Sequence, residues 1–158
     1  MFGACDGGGR SDPLGEPAAT NGAALTKAQL ITEIDAICSG ARDLLEGLEA
    51  PGTLKEAAKF LRKVLPVIRD QAQEIKALGD PPSQDRDLYL EWLSAREGIV
   101  ETTALMIKAA EERDRNGFER HAILQSDLDS RADAAAQKYG FEVCGSSGEP
   151  GAAPSSGQ

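Results

Sequence analysis

Residues 25–52 read LTKAQLITEIDAICSGARDLLEGLEAPG, and this stretch decides the fold class. Thr26 is followed three residues later by Gln29, a capping-box pattern that marks the start of a helix. Apolar side chains then recur at alternating spacings of three and four, which places them on one helical face: Leu30, Ile34, Ile37, Ala41, Leu44 and Leu48. Pro51-Gly52 ends the pattern. The stretch therefore predicts one amphipathic helix.

Two further segments repeat this helical pattern. The second helix is predicted over residues 53–78, with Thr53 and Glu56 as another capping box. Pro66 lies inside it and predicts a kink, because proline removes one backbone hydrogen bond. The third helix is predicted from about residue 82 or 83 to residue 114, after a Gly-Asp-Pro-Pro break.

A fourth helix completes the fold. Asn116 and Glu119 can cap its start, and Gly140 is placed to end it with a positive φ. No alternating pattern typical of a strand competes with the helices. Four amphipathic helices joined by short breaks predict an all-α, antiparallel, up-down four-helix bundle.

The chain divides into three parts. Residues 1–24 are rich in glycine and proline and predict a flexible tether of the kind that lipoproteins carry. Residues 25–145 form the predicted helical bundle, and residues 146–158 predict a disordered tail for the same compositional reason.

Composition excludes two classes of protein. There are 17 Lys and Arg residues against 26 Asp and Glu, so the formal net charge is −9. This charge repels a phosphate backbone, and aromatic residues at 4% offer little base stacking, so we expect no nucleic-acid partner. No apolar run approaches the roughly 18 residues that a membrane-spanning helix needs.

Cys38 and Cys144 are predicted to form a disulfide. In an up-down bundle the fourth helix ends beside the start of the first. Cys38 lies about 12 residues into the first helix, roughly 17 Å along its axis. The tail after Gly140 can cover about 13 Å and so reach it, closing a loop of about 106 residues. The alternative is that each cysteine is a small buried thiol.

Cys5 indicates export and anchoring. Phe2-Gly3-Ala4-Cys5 looks like the lipobox that ends bacterial lipoprotein signals, whose cysteine becomes lipidated. No charged or apolar signal segment precedes it in this sequence. We therefore expect a membrane anchor on Cys5, in the extracytoplasmic cell envelope. The alternative is a cytoplasmic protein in which this cysteine is incidental.

The end of the fourth helix carries a second resemblance. Ala135, then Tyr139-Gly140-Phe141, then Cys144-Gly145, together with a cysteine in the first helix, form one pattern. It resembles the ending of small exported helical proteins and lipoproteins of actinobacteria, which finish in a Tyr-Gly-Phe-x-x-Cys-Gly tail. The resemblance covers roughly residues 25–145 and implies export, but it implies no activity.

The sequence contains no arrangement of residues that indicates catalysis. His121 is the only histidine, and no Gly-x-Ser-x-Gly motif is present. A di-iron bundle needs Glu three residues before such a histidine, where this chain has Phe118. Asp129 and Asp133 share a helical face and are interpreted as a solvated surface. We therefore expect no enzyme, no metal and no cofactor.

The second helix carries the candidate binding residues. It holds six cations against three carboxylates, a net charge of +3, between acidic neighbours. Lys55, Lys59, Arg62 and Lys63 are candidates for binding an anionic polymer or lipid headgroups. The alternative is that they complement the neighbouring helices.

The leading functional prediction is a non-enzymatic envelope lipoprotein whose bundle binds an envelope protein or a wall component. One alternative is a small-ligand carrier or sensor domain with a pocket between helices near Pro66. Others are a cytosolic helical adaptor and an enzyme built on the acidic faces. Tyr89 and Trp92 are expected in the core.

Overall fold

A computed structural model describes residues 24–145 of the chain. Within this range the chain forms four helices and no strand. The helices are α1 (Lys27–Leu45), α2 (Leu54–Ala77), α3 (Arg86–Glu111) and α4 (Arg115–Tyr139). They pack against each other as an all-α four-helix bundle, which confirms the predicted fold class.

The first two helices begin where the sequence predicts. Both hydrogen bonds of the capping box between Thr26 and Gln29 are present at the start of α1. At α2, Thr53 accepts from the Glu56 backbone at 3.3 Å, but the Glu56 carboxylate accepts from the backbone of Gly52 rather than that of Thr53. The second capping box is therefore displaced by one residue. α2 then runs as one continuous helix through Pro66, which is exposed.

The start of α4 differs from the prediction. Asp114, not Asn116, caps the helix, because its carboxylate accepts from the backbone of Gly117 at 2.9 Å. Arg113 takes a left-handed conformation (φ 59°), which turns the chain sharply between α3 and α4. A Cβ at position 117 would collide with the Asp114 carboxylate as it is placed, so a larger residue there would force the capping side chain to shift. α3 is correspondingly shorter than predicted at both ends.

Two ion pairs show that α2 and α3 are antiparallel. Arg62, near the start of α2, pairs with Glu111 at the end of α3. Lys76, near the end of α2, pairs with Glu97 in the first half of α3. Thr103 of α3 and Gln125 of α4 likewise approach across the turn that joins those two helices.

α1 is shorter than its neighbours. Its 19 residues span about 28 Å, whereas the 26 residues of α3 span about 39 Å. The helix ends at Leu45 and the chain turns at Gly47, where φ is 81°, several residues before Pro51. Leu44 was predicted on the buried face but is 70% exposed, because the helix ends beside it before the bundle does.

The apolar side chains form two separate clusters. The larger, here called the aromatic core, surrounds Tyr89, Trp92, Tyr139 and Phe141 and draws on all four helices and the tail after α4. The smaller, here called the small core, consists of Leu61, Met106 and Ile107, with partly buried side chains of α2 and α4 around it. It lies towards the α3–α4 turn and contains no residue of α1.

None of the four described helices combines the length and the apolar character that crossing a membrane requires.

Candidate functional site

The tail after α4 is fastened to α1. Gly140 ends α4 with a φ of 109°, and the chain turns back so that Cys144 reaches Cys38 at disulfide-bonding distance. The Cα atoms of the two cysteines are 5.5 Å apart, which suits a disulfide. Phe141 enters the aromatic core on the way, 4.6 Å from Trp92 between ring centroids. The disulfide is thus the pair that the sequence predicts.

Asp35 holds the same tail by hydrogen bonds. Its carboxylate accepts from the backbone N–H groups of Glu142 and Val143, both at 2.9 Å, and of Cys144 at 3.1 Å. Arg42 donates to the Val143 carbonyl at 3.0 Å. Sequence reasoning missed Asp35, although its place three residues before Cys38 puts it on the same helical face. One carboxylate therefore satisfies three backbone donors of a segment with no secondary structure of its own.

Cys5, the predicted lipidation site, lies outside the described residues, as do residues 1–23 of the predicted tether and the predicted tail of residues 146–158.

The four predicted basic residues differ in their ion pairing. Arg62 pairs with Glu111 across the bundle, so it serves the contact between α2 and α3. Lys55, Lys59 and Lys63 are exposed and make no ion pair among residues 24–145. They are spaced four residues apart and therefore follow one another along a single face of α2. The candidate anionic-binding surface is reduced to these three lysines.

Lys59 and Lys63 border a groove of about 570 Å³. It lies between the first half of α2 and the connection that follows α1, where the shorter α1 leaves space. Its remaining lining is mixed: Gly47, Leu48, Glu49, Ala50, Pro51, Glu56 and Phe60. The Glu56 carboxylate is already bonded to the backbone of Gly52. The groove therefore combines apolar side chains and two carboxylates with two lysines that have no ionic partner in the described part of the chain.

Asp129 and Asp133 were interpreted as a solvated surface, and the structure corrects this. Both are partly buried and face Arg96 of α3, whose guanidinium donates to Gln71 of α2. Burial raises the pKa of Asp129 and of Asp133, and the charge of Arg96 opposes the rise. Burial likewise lowers the pKa of Arg96, against the influence of the two carboxylates. This polar contact joins α2 to α3 through the bond between Arg96 and Gln71, which is only 6% exposed, and it includes α4 through the electrostatic influence of the two carboxylates, neither of which forms an ion pair with Arg96.

A second concavity, of about 370 Å³, lies between the end of α2 and the start of α3. Tyr89 forms part of its wall, beside Pro81, Leu90 and Leu93. Burial, followed by the charges of Tyr139 and Asp80, raises the pKa of Tyr89 to about 12. Pro66 lines neither this concavity nor the groove at Lys59, so neither lies where the carrier alternative expected a pocket.

Comparison with known proteins identifies no relative. No family model matches the chain, and neither a curated protein nor a solved structure matches it. Among residues 24–145, no three His, Cys, Asp or Glu side chains lie close enough together to hold a metal ion.

Proposed function

We propose that this chain is a non-enzymatic, lipid-anchored protein of the cell envelope, whose helical bundle binds an anionic wall component. The observation that carries the proposal is the Cys38–Cys144 disulfide. Disulfides persist in oxidising compartments outside the cytoplasm and are rare within it. This one closes a loop of 106 residues and fixes the tail on α1, so oxidation contributes to the stability of the whole bundle.

The anchor is assigned to Cys5 on sequence alone. Phe2-Gly3-Ala4-Cys5 has the form of a lipobox, and a stretch rich in glycine and proline separates it from α1. The resemblance of the Tyr139–Gly145 ending to exported actinobacterial proteins supports the same location.

The binding surface is assigned to the groove at Lys59 and Lys63. These lysines have no ionic partner among the described residues, whereas Arg62 and Lys76 of the same helix pair with α3. An anionic polymer would therefore form ion pairs with Lys59 and Lys63 without breaking an existing one. Phe60 and Leu48, which also line the groove, would contact its uncharged parts.

Mass spectrometry of the protein purified from its native cells tests the location. We expect a diacylglycerol-modified Cys5 and a mass two hydrogens below that of the reduced chain, with the protein in the membrane fraction. An unmodified Cys5 together with reduced Cys38 and Cys144 would support the cytosolic adaptor instead.

Co-sedimentation with purified cell walls tests the binding surface. The double variant Lys59→Glu/Lys63→Glu is expected to lose wall binding, as is the wild type at high salt. Lys108→Glu/Lys138→Glu makes the same change of net charge at exposed lysines of α3 and α4 and should bind as the wild type does. Equal losses in both double variants would show that net charge, not the groove, determines binding.

A further inference from the structure

The outward side of α4 carries a pair of exposed apolar residues. In the described part of the chain the exposed large apolar side chains are Leu44, Leu90, Leu105, Ile123 and Leu124. Single exposed residues of this kind are ordinary in a folded protein. Ile123 and Leu124, here called the apolar pair, differ because they are adjacent in the first half of α4 and are 66% and 47% exposed.

The apolar pair lies on a helical face that no other part of the described chain covers. The helical repeat places these exposed residues on one side of α4, here called the α4 face: Asn116, Arg120, Ile123, Leu124, Asp127, Arg131, Ala134 and Lys138. Ala132, Ala136 and Tyr139 are buried on the opposite side of the helix. The α4 face is therefore apolar in one place only and is flanked there by polar residues, as protein interfaces commonly are.

Arg120 and Asp127 flank the apolar pair symmetrically. Arg120 lies three residues before Ile123, and Asp127 lies three residues after Leu124. Neither charge makes an ion pair among residues 24–145. Seven positions separate them, which is about 10 Å along one helix axis, and they do not pair with each other. Both charges are thus available to a partner.

A second copy of the same helix, running in the opposite direction, matches these charges. When a two-fold axis passes between Ile123 and Leu124, each of these residues meets its own symmetry mate. Arg120 then lies level with Asp127 of the second copy, because the two positions are equally distant from the axis. A parallel pair of helices would instead place Arg120 against Arg120. The charges therefore favour the antiparallel arrangement.

We propose that the chain forms a symmetric homodimer through the α4 face, with the two α4 helices antiparallel. The second copy covers the apolar pair, and the ion pairs between Arg120 and Asp127 determine the direction and the register of the helices. The inference goes beyond the proposed envelope function and does not depend on export, on Cys5 or on the groove at Lys59. The α4 face shares no residue with that groove.

Sedimentation velocity of the full chain measures the dimer. A Cys5→Ser background excludes dimers that a disulfide between two copies would produce. We expect the mass to rise from the 16.6 kDa of one chain towards twice that value as the concentration increases through the micromolar range. Ile123→Glu should abolish this rise, because it places two carboxylates against each other at the two-fold axis. Its circular dichroism should match that of the wild type, since position 123 is exposed.

Charge reversal tests the antiparallel register. Arg120→Glu and Asp127→Arg should each weaken dimerisation by roughly tenfold or more, because each brings like charges together twice in the interface. The double variant Arg120→Glu/Asp127→Arg should recover the wild-type affinity. An equimolar mixture of the two single variants should form a heterodimer, in which every facing pair again has opposite charges. Arg69→Glu, the matched control, changes the net charge equally at an exposed residue of α2 and should dimerise as the wild type does.

Three results would overturn the proposal. One is a monomer at every concentration, which is also the result expected if residues outside 24–145 of the same chain cover the α4 face. Another is a dimer that persists in Ile123→Glu, which would place the interface elsewhere. A third is weaker dimerisation in both single charge reversals with no recovery in the double variant or in the mixture, which would exclude the antiparallel register.

Discussion

The two ends of the bundle are built differently from helices that look alike in sequence. At one end, the aromatic core joins all four helices to a tail held by a disulfide and by Asp35. At the other, three buried residues of α2 and α3 form the small core, and α1 contributes none of them. Ile123, in the α4 segment that borders the small core, is 66% exposed. The same helical periodicity therefore yields a closed end and an open one.

The length of α1 causes the difference. Its apolar pattern continues past Leu45, but Gly47 breaks the helix and the connection to α2 takes its place. A helix can cover its neighbours only over its own length. The last turns of α3 and the first turns of α2 therefore pack without α1. The candidate groove at Lys59 and Lys63 lies where this cover is missing, whereas the second concavity, which Tyr89 helps to line, lies beside the closed core.

Removing the disulfide should have the largest effect, because it releases the tail that closes the aromatic end. We expect Cys38→Ser/Cys144→Ser to lower the free energy of unfolding by about 5 kcal/mol, as the chain-entropy model gives for a loop of this size. Urea denaturation measures the loss. The comparison should be made in a Cys5→Ser background, so that no third thiol exchanges with the pair. A loss below about 1 kcal/mol would contradict the view that the tail closes this end.

Truncating one isoleucine at each end compares the two cores directly. Ile75 of the aromatic core is 0% exposed, and Ile107 of the small core is 9% exposed. We expect Ile75→Ala to cost about 4 kcal/mol and Ile107→Ala about 2 kcal/mol, because an open site relaxes around a cavity more easily. Denaturant midpoints at constant slope give both values. Equal costs would show that the small core is as tightly packed as the aromatic one.

Sequence patterns could predict the elements and one long-range contact. The caps at Thr26 and Gly140, the helical class and the Cys38–Cys144 pair all follow from local rules or from the simplest bundle topology. Local rules could not place the end of α1, because Leu44 and Leu48 continue its apolar pattern while Gly47 ends the helix.

The missed polar residues share one physical reason. Asp35, Arg96 and Asp129 are ordinary helical surface residues by spacing, and each acquires its role from a segment distant in the chain. Nothing within a few positions of Asp35 indicates that three backbone donors from residues 142–144 will lie over it. Contacts between segments that are distant in the chain determine such roles, so the helical periodicity of a single sequence does not reveal them.

Asp35→Asn should weaken the closed end by less than loss of the disulfide does. The amide keeps one acceptor oxygen in place of two and loses the charge, so we expect a cost of roughly 1.5 kcal/mol. Amide hydrogen exchange should accelerate at residues 142–144 and change little at the small core. Glu33→Gln, an exposed change of the same kind in α1, is the matched control and should have little effect. Unchanged exchange at residues 142–144 would show that the disulfide alone holds the tail.

The smallest expected effect lies at the polar contact around Arg96, which borders the aromatic core. Burial raises the pKa of Asp129 in the folded state above its unfolded value, so ionised Asp129 opposes folding at neutral pH. As the pH falls from 7 towards the ordinary carboxyl range near 4, folded Asp129 takes up its proton first and this opposition diminishes. The free energy of unfolding of the wild type should therefore rise on acidification relative to that of Asp129→Asn, as urea denaturation at several pH values would measure. Asp127→Asn, an exposed change two residues earlier, should show no such difference. If the wild type instead loses stability on acidification relative to Asp129→Asn, the charge of Arg96, not burial, dominates the pKa of Asp129. The polar contact would then strengthen the closed end.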